Sequence, residues 1–310
     1  MKITIIGAAG TLGSCTTFNL IVHSLANEIL MIDTWENMLK AHYMDLNTAA
    51  TGKDVLVRTG GYEEVPGSDV IIITAGAPSG VISSRMELLP NNLPIVRDIA
   101  EKINQFCPDA VVIIATNPVG PLNYAMYLLS ASQDRRKFIG YSLNDSIRFQ
   151  MMAAEALGVP SRRVDGMVIG EHGGSQVMLF SSLRVDGKPV TLSEDFKRKI
   201  RERVPNILRG YETLKPKRTA GWTSAIGLAD VVRAIGKDTG EIIPCSVVID
   251  GEYGYRNLSM TVPAILGRGG VQGIQELELA PGEQEGLKVS VGVLKEAVDY
   301  IEKDLGMSGG

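Results

Sequence analysis

KITIIGAAGTLG, residues 2–13, is an apolar run of strand length that empties into glycines at positions 7, 10 and 13, after which helical spacing sets in over 13–26. A strand, a glycine turn and a helix in that order aim unpaired helix N–H groups at whatever lies over the turn. The missing side chains let the backbone approach a pyrophosphate closely. As a bare pattern the stretch equally fits an ordinary glycine loop. Three further apolar runs, EILMID (28–33), VIIITA (70–75) and AVVIIAT (110–116), also lack alternation, which is how strands covered on both faces read. Between the last two, LPIVRDIAEKINQF within 92–106 places apolar residues three and four apart, as a helix does.

Strand and helix alternating in this way predict an α/β fold of Rossmann type, a doubly wound parallel sheet. After about residue 145 the texture changes. Longer helical stretches (145–157, 194–209, 219–236, 283–304) separate shorter strands at 164–169, 177–185, 244–250 and 258–265, and VDGK (185–188) and DGEYG (250–254) read as hairpin connections. The expected organisation is a nucleotide-binding domain over 1–144 and a mixed α/β substrate-binding domain over 145–310, packed together without a linker, with MSGG as a frayed tail.

Composition excludes several classes. With 310 residues, 45% of them hydrophobic, the chain can bury a large core, and a net charge of −4 with scattered charges carries no footprint of nucleic-acid binding. No apolar run reaches the ~18 residues of a membrane span. Met1 leads directly into a strand, with no secretory signal pattern. Cys15, Cys107 and Cys245 lie far apart, which argues against a disulfide framework or a zinc site. A cytoplasmic protein without metal is expected.

Asp33 ends the second apolar run 20 residues after Gly13, where a carboxylate would accept hydrogen bonds from ribose hydroxyls. It would also repel a 2′-phosphate, and no arginine follows in TWENM, so NAD is predicted over NADP. The alternative is a solvated loop acid or a helix cap. Of the three histidines, His23 and His42 fall in helical stretches, whereas His172 sits in VIGEHGGS, after an apolar strand and beside glycines that permit close approach. Taking a proton from a hydroxyl as its carbon loses a hydride needs a base, and imidazole suits it when a carboxylate fixes its tautomer. Asp145 in SLNDSIRF is a candidate for that carboxylate, with Arg148 three residues on to grip a substrate carboxylate. Spacing alone favours a plain surface ion pair.

GAAGTLG, TAGAP with Arg85 downstream, ATNPVGPLNY, LNDSIRF and IGEHGGSQV occur in the order and at the separations of the lactate/malate dehydrogenase superfamily, which the chain resembles over essentially its whole length. The likeness is closest to the archaeal, lactate-dehydrogenase-like malate dehydrogenases, and continues through KRTAGWTSAIGLADVVRAIGKDTG and DGEYGY. The resemblance implies NAD-dependent hydride transfer at C2 of a small 2-hydroxy acid, with malate/oxaloacetate as the first substrate expected. It makes His172 the acid/base, Asp145 its orienting partner and Arg148 the clamp for the C1 carboxylate. Arg85, at the far end of a mobile loop, would polarise the C2 oxygen. Asn117 would touch substrate and nicotinamide, Asn92 would lie close to the cofactor, and a homodimer or homotetramer would be the assembly.

Departures from the family bear on the substrate. The loop reads GAPSGVISSR where the malate enzymes resemble GAPRKPGMTR, so Ser79 stands where an arginine reads the second carboxylate, and Val81 and Ile82 replace the proline-glycine hinge. A charged hydrogen bond is worth ~1.5–3 kcal/mol and an unpaired buried carboxylate costs ~3–5 kcal/mol, so preference for a dicarboxylate should fall by roughly a hundredfold. Ala220, small as in the malate enzymes, leaves room for a longer substrate, and Arg218 is a possible replacement cation or a solvent-facing member of KPKR. Gly174 replaces an aspartate and reads as a lost supporting hydrogen bond. Gly120 removes a second acid. Three relaxed positions around one site point to a non-standard 2-oxo acid or a catalytically silent NAD-binding paralogue. An NAD-dependent glycosidase, which needs a divalent metal on Cys/His-type ligands, has no such cluster here.

Overall fold

The computed structural model describes residues 1–78, 80, 82–214 and 220–307. The first half contains β1 (Lys2–Ile6), α1 (Thr11–Val22), β2 (Glu28–Ile32), α2 (Glu36–Ala49), β3 (Leu56–Thr59), β4 (Val70–Ile73), α3 (Leu89–Phe106), β5 (Val111–Ile114), α4 (Val119–Leu129) and β6 (Phe138–Gly140). The second half runs α5 (Asn144–Leu157), β7 (Val164–Asp165), β8 (Val168–Ile169), β9 (Val177–Met178), β10 (Arg184–Val185), β11 (Lys188–Pro189), α6 (Glu194–Thr213), α7 (Trp222–Lys237), β12 (Glu241–Asp250), β13 (Arg256–Gly267), β14 (Gly270–Ile274) and α8 (Pro281–Asp304).

The expected doubly wound sheet is present, and it is larger than the first half alone would make it. Nine strands stand in the order β14-β13-β12-β6-β5-β4-β1-β2-β3. The six from β6 to β3 are parallel, and β12, β13 and β14 extend them antiparallel. One sheet therefore passes from the first half into the second across the β6–β12 pair. Each central strand is buried on both faces: Ile72 and Ile113 pack into one core with Ile3 and Ile5, while Ile71, Ile73, Val112 and Ile114 pack into another. At ~1.5–3 kcal/mol per buried aliphatic side chain, this explains why those runs lack alternation. A separate core of Phe149, Met152, Val164, Val168, Met178, Phe180 and Val204 holds α5 and α6 against the small sheets.

Two expected strands are shorter than read. The 164–169 stretch divides into β7, which pairs with β10, and β8, which pairs with β9. It breaks at Gly166, where a Cβ would lie 2.8 Å from the Phe149 ring. The 177–185 stretch is interrupted by a 3-10 turn over Phe180–Ser182. Both hairpins form: 185–188 joins β10 to β11, and 250–254 joins β12 to β13. Among the described residues, no helix is long and apolar enough to cross a membrane. Residues 308–310 of the expected tail lie outside the described residues.

Candidate active site

Strand order reverses between β1 and β4, and the loops leaving β1, β4 and β5 follow neighbouring parallel strands, the place of the crevice in which doubly wound sheets bind ligands. Gly7 turns there with φ +90°, and a Cβ on it would lie 2.4 Å from Ala75 N. At Gly13 a Cβ would fall 2.3 Å from Gly7 O, and at Gly10 it would press that oxygen less closely, at 3.3 Å. Gly10 caps α1 without a side-chain acceptor, and no acid occupies the first turn. The helix start thus presents its amides and partial positive charge to an anion, which suits a pyrophosphate.

Asp33 follows β2 and is half-buried beside this turn. It accepts Ala9 N at 2.8 Å and Trp35 N at 2.9 Å, so it is neither a free loop acid nor the cap of α2. Tied to the glycine turn, the carboxylate is set to receive ribose hydroxyls. The residues present fit an adenine dinucleotide lacking a 2′-phosphate.

Asn92, on α3, is buried and spends its amide on the walls of the crevice. Its Oδ1 accepts Ala77 N at 2.7 Å and its Nδ2 donates to Asn117 O at 2.6 Å. It therefore joins the loops after β4 and β5. The Asn117 Oδ1 is buried without a partner in the protein, as is Nε of Arg85. Buried polar atoms are seldom left unpaired, so two such atoms on crevice segments mark where a ligand's polar groups would go.

His172 and Asp145 meet. His172 Nδ1 lies 2.6 Å from Asp145 Oδ2, with both side chains buried, and Arg148 Nη1 donates to Asp145 Oδ1 at 3.3 Å. The Asp145–Arg148 pair is thus not on the surface: their side chains are 3% and 14% exposed. The first turn of α5 carries Asp145, where the helix dipole favours a negative charge. Arg85 joins from the other wall, its Nη1 donating to His172 O at 3.0 Å. It begins a 3-10 turn over Arg85–Leu88 whose start is held by a Ser84–Glu87 capping box, so the far end of the loop is already ordered. Burial pushes the Asp145 carboxyl up, but His172, Arg85 and Arg148 outweigh it and hold the group below the usual aspartate range. Arg148 is pulled down, first by burial and then by its neighbour Arg85, against the upward pull of Asp145. The cluster can orient an imidazole and offer two guanidinium groups to an anion.

His23 and His42 stand apart, His23 exposed at the end of α1 and His42 half-buried on α2. Ser79, Val81, Lys217 and Arg218 lie outside the described residues, and Ala220 is exposed just before α7. Gly120 needs correcting. It is buried, and a Cβ would lie 2.7 Å from Ser259 O, so its smallness serves the packing of α4 on β13. Nothing lies within 4 Å of where a Gly174 Cβ would be, and that position is exposed.

Two partners of the dyad's own loop escaped the sequence reading. Glu171 is buried and accepts both Ser175 N at 2.9 Å and Ser175 Oγ at 2.8 Å. Ser290, 119 residues further on, receives Glu171 N at 2.6 Å. A charged residue directly after a buried strand was a signal for the first; no motif announces the second.

Comparison with known proteins places this architecture. Residues 1–140 match the lactate/malate dehydrogenase NAD binding domain and residues 143–304 the lactate/malate dehydrogenase alpha/beta C-terminal domain. The malate dehydrogenase of Haloferax volcanii is 34% identical over 304 residues, spanning 97% of this chain and 99% of the relative. Cryptosporidium parvum malate dehydrogenase superposes with a TM-score of 0.93 at 28% identity, covering 97% of this chain and 99% of that one. The lactate dehydrogenase from the same organism, solved with lactic acid and nicotinamide adenine dinucleotide, gives 0.92 at 29% identity, covering 97% and 98%. The chain belongs to the lactate/malate dehydrogenase family of oxidoreductases, and its amino-terminal half is that family's NAD-binding domain.

Proposed function

We propose that this chain is an NAD-dependent 2-hydroxy acid dehydrogenase in which His172 carries the substrate's hydroxyl proton. The supporting observation is the buried 2.6 Å contact between His172 Nδ1 and Asp145 Oδ2, flanked by Arg148 and Arg85. With Nδ1–H donated to the carboxylate, the imidazole keeps its other nitrogen, Nε2, for the substrate hydroxyl. Arg148 takes the C1 carboxylate, for which a planar fork is suited. Arg85 faces the C2 oxygen, where its Nε, lacking a protein partner, meets the negative charge that grows in the reaction. Asn117 Oδ1 and the turn at Gly7, Gly10 and Gly13 hold the dinucleotide with Asp33, and Asn92 fixes the crevice walls behind them. When bound, the nicotinamide supplies the two-electron acceptor for the C2 hydrogen. Residues 1–144 serve the cofactor, lending Arg85 to the substrate, and 145–310 the substrate.

Malate/oxaloacetate is the first substrate to test. A second reading, a monocarboxylic 2-oxo acid such as pyruvate or a bulkier apolar one, is favoured by Ser79 in place of the loop arginine. Initial-rate oxidation of NADH with oxaloacetate, pyruvate, phenylpyruvate and branched 2-oxo acids side by side decides between them, and Ser79→Arg should move preference towards oxaloacetate. NADH binding with no turnover on any of them would sink the enzymatic reading in favour of a silent paralogue. A homodimer or homotetramer is also proposed, supported by the exposure of Phe18 (49%), Trp222 (66%) and Ile226 (56%) on the adjoining helices α1 and α7. Light scattering that gave a monomer would remove it.

A further inference from the structure

His172 follows β8 and Asp145 opens α5, two segments that no local sequence feature joins, although a 2.6 Å contact requires them to be held closely in place. One residue behind the site bonds to both segments, to one through its backbone and to the other through its side chain. Thr261, on β13, exchanges two backbone hydrogen bonds with Gly170: Gly170 N donates to Thr261 O at 2.9 Å and Thr261 N to Gly170 O at 2.8 Å. Its hydroxyl donates to Ser142 Oγ at 2.8 Å, and the Ser142 carbonyl accepts Asp145 N at 3.3 Å. A ring closes through Asp145, His172, Glu171, Gly170, Thr261 and Ser142.

The ring is dry. Ser142 is 1% exposed, Thr261 3% and Ser246, whose hydroxyl lies 3.2 Å from Thr261 Oγ1, 0%. Gly170 is fixed from its other side too, since with φ +87° it has no room for a Cβ, which would fall 2.4 Å from Ser290 Oγ. Burying a hydroxyl is costly unless it is bonded, and the neighbours of Thr261 along the strand, Met260 and Val262, are apolar. The Thr261 hydroxyl spends its donor on the segment that carries Asp145 and none on its own strand.

We propose that the Thr261 hydroxyl is a positioning group for proton transfer. By tying Ser142 to the strand paired with Gly170, it sets the separation of His172 and Asp145. This rests on the reading of that dyad as the proton carrier. Reaction rates fall steeply when catalytic groups are displaced by a fraction of an ångström.

Thr261→Val removes the hydroxyl while nearly keeping the side-chain shape and leaving both backbone bonds to Gly170. Expected at saturating NADH are a kcat lowered about five- to tenfold, as for the loss of one net hydrogen bond, and a displaced acidic limb of the kcat pH profile. The KM for NADH should not move, and Thr261→Ser should recover most of the kcat. A Thr261→Val enzyme with wild-type kcat and pH profile would overturn the proposal. So would a Thr261→Ser enzyme that melts like wild type yet recovers nothing. If Thr261→Val does not fold, Ser142→Ala breaks the same bond from its other end and must show the same split between kcat and KM. His172→Asn run in parallel separates the two readings: turnover surviving it sinks the proton-carrier assignment, whereas a dead His172→Asn beside an unaffected Thr261→Val sinks only the positioning role.

Discussion

Asp145→Asn keeps the shape of a side chain and removes its charge. That side chain is 3% exposed, and its carboxylate lies 2.6 Å from His172 Nδ1 and receives Arg148 Nη1 at 3.3 Å. A hydrogen bond to a charged group is worth about 1.5–3 kcal/mol. At about 1.4 kcal/mol per decade, weakening the His172 bond alone predicts a kcat lowered about 10- to 100-fold. Stability responds separately. Stranding one charge of a buried pair costs about 3–5 kcal/mol, here that of Arg148, but the amide escapes the desolvation the carboxylate bore, so the net loss should be smaller. In a chain of this size that lowers Tm by only a few degrees. NADH affinity should stay put, because the glycine turn and Asp33 are untouched. Single-turnover oxidation of NADH, fluorescence titration with NADH and calorimetry read the three quantities independently. A kcat equal to wild type from about pH 5 to 9 would refute the role given to the dyad.

Three more outcomes follow from the geometry. Gly120→Asp should destabilise the fold by about 1–3 kcal/mol through overpacking against Ser259 O, 2.7 Å from its Cβ, without changing the ratio of oxaloacetate to pyruvate turnover; a changed ratio at unchanged Tm would return Gly120 to the site. Asp145 is held below the usual aspartate range in the folded state, so its stabilising contribution is complete above about pH 5 and is lost as pH falls through the folded value. Melting followed against pH should therefore show an acid slope that is shallower in Asp145→Asn, and equal slopes would contradict this. Asp33→Ser should raise NADPH use relative to NADH at least about tenfold, because a like charge facing the 2′-phosphate is removed. It should also weaken NADH binding through the lost bond to Ala9 N.

What was legible in the chain follows from what each segment buries. The runs at β1, β2, β4 and β5 were readable because both faces are covered, so every residue but Lys2, Thr4 and Glu28 is apolar. β3 escaped as a four-residue edge strand, LVRT, with only Val57 buried, and β6 as three residues, FIG, too short for any pattern. α4 escaped because it is buried continuously from Val119 to Met126 and so shows no polar face, whereas α2, read only as the helical stretch around His42, has just Leu39 and Leu46 buried and too little apolar stripe to fix its ends. The dyad residues could be named from GEHGGS and NDSIRF because the chemistry needs those side chains in those places. The residues holding the dyad could not: Thr261 and Ser290 reach it through backbone and hydroxyl contacts from 89 and 118 positions away from His172, and a serine or threonine in a strand or helix carries no mark of it.

The departures from the family's pattern now separate by cause. Gly120 is small because β13 passes behind it, and nothing packs where a Gly174 side chain would stand, so packing explains the first exchange and no contact explains the second. The exchange that would bear on substrate charge is the one at Ser79. In the proposed reaction Arg148 answers one carboxylate and Arg85 the charge developing on the C2 oxygen, while Asp145 already draws on Arg148 and Arg85 as well as His172. A second substrate carboxylate would find no unspent cation among these groups, and one left unpaired in a closed site costs about 3–5 kcal/mol. A monocarboxylate incurs no such cost. On the proposed reading, the exchange at position 79 is therefore expected to act on the number of carboxylates the site will accept more than on the length of the substrate. Its signature is a raised KM for oxaloacetate beside an ordinary one for a monocarboxylic 2-oxo acid, with kcat on both set by the same His172 and Asp145.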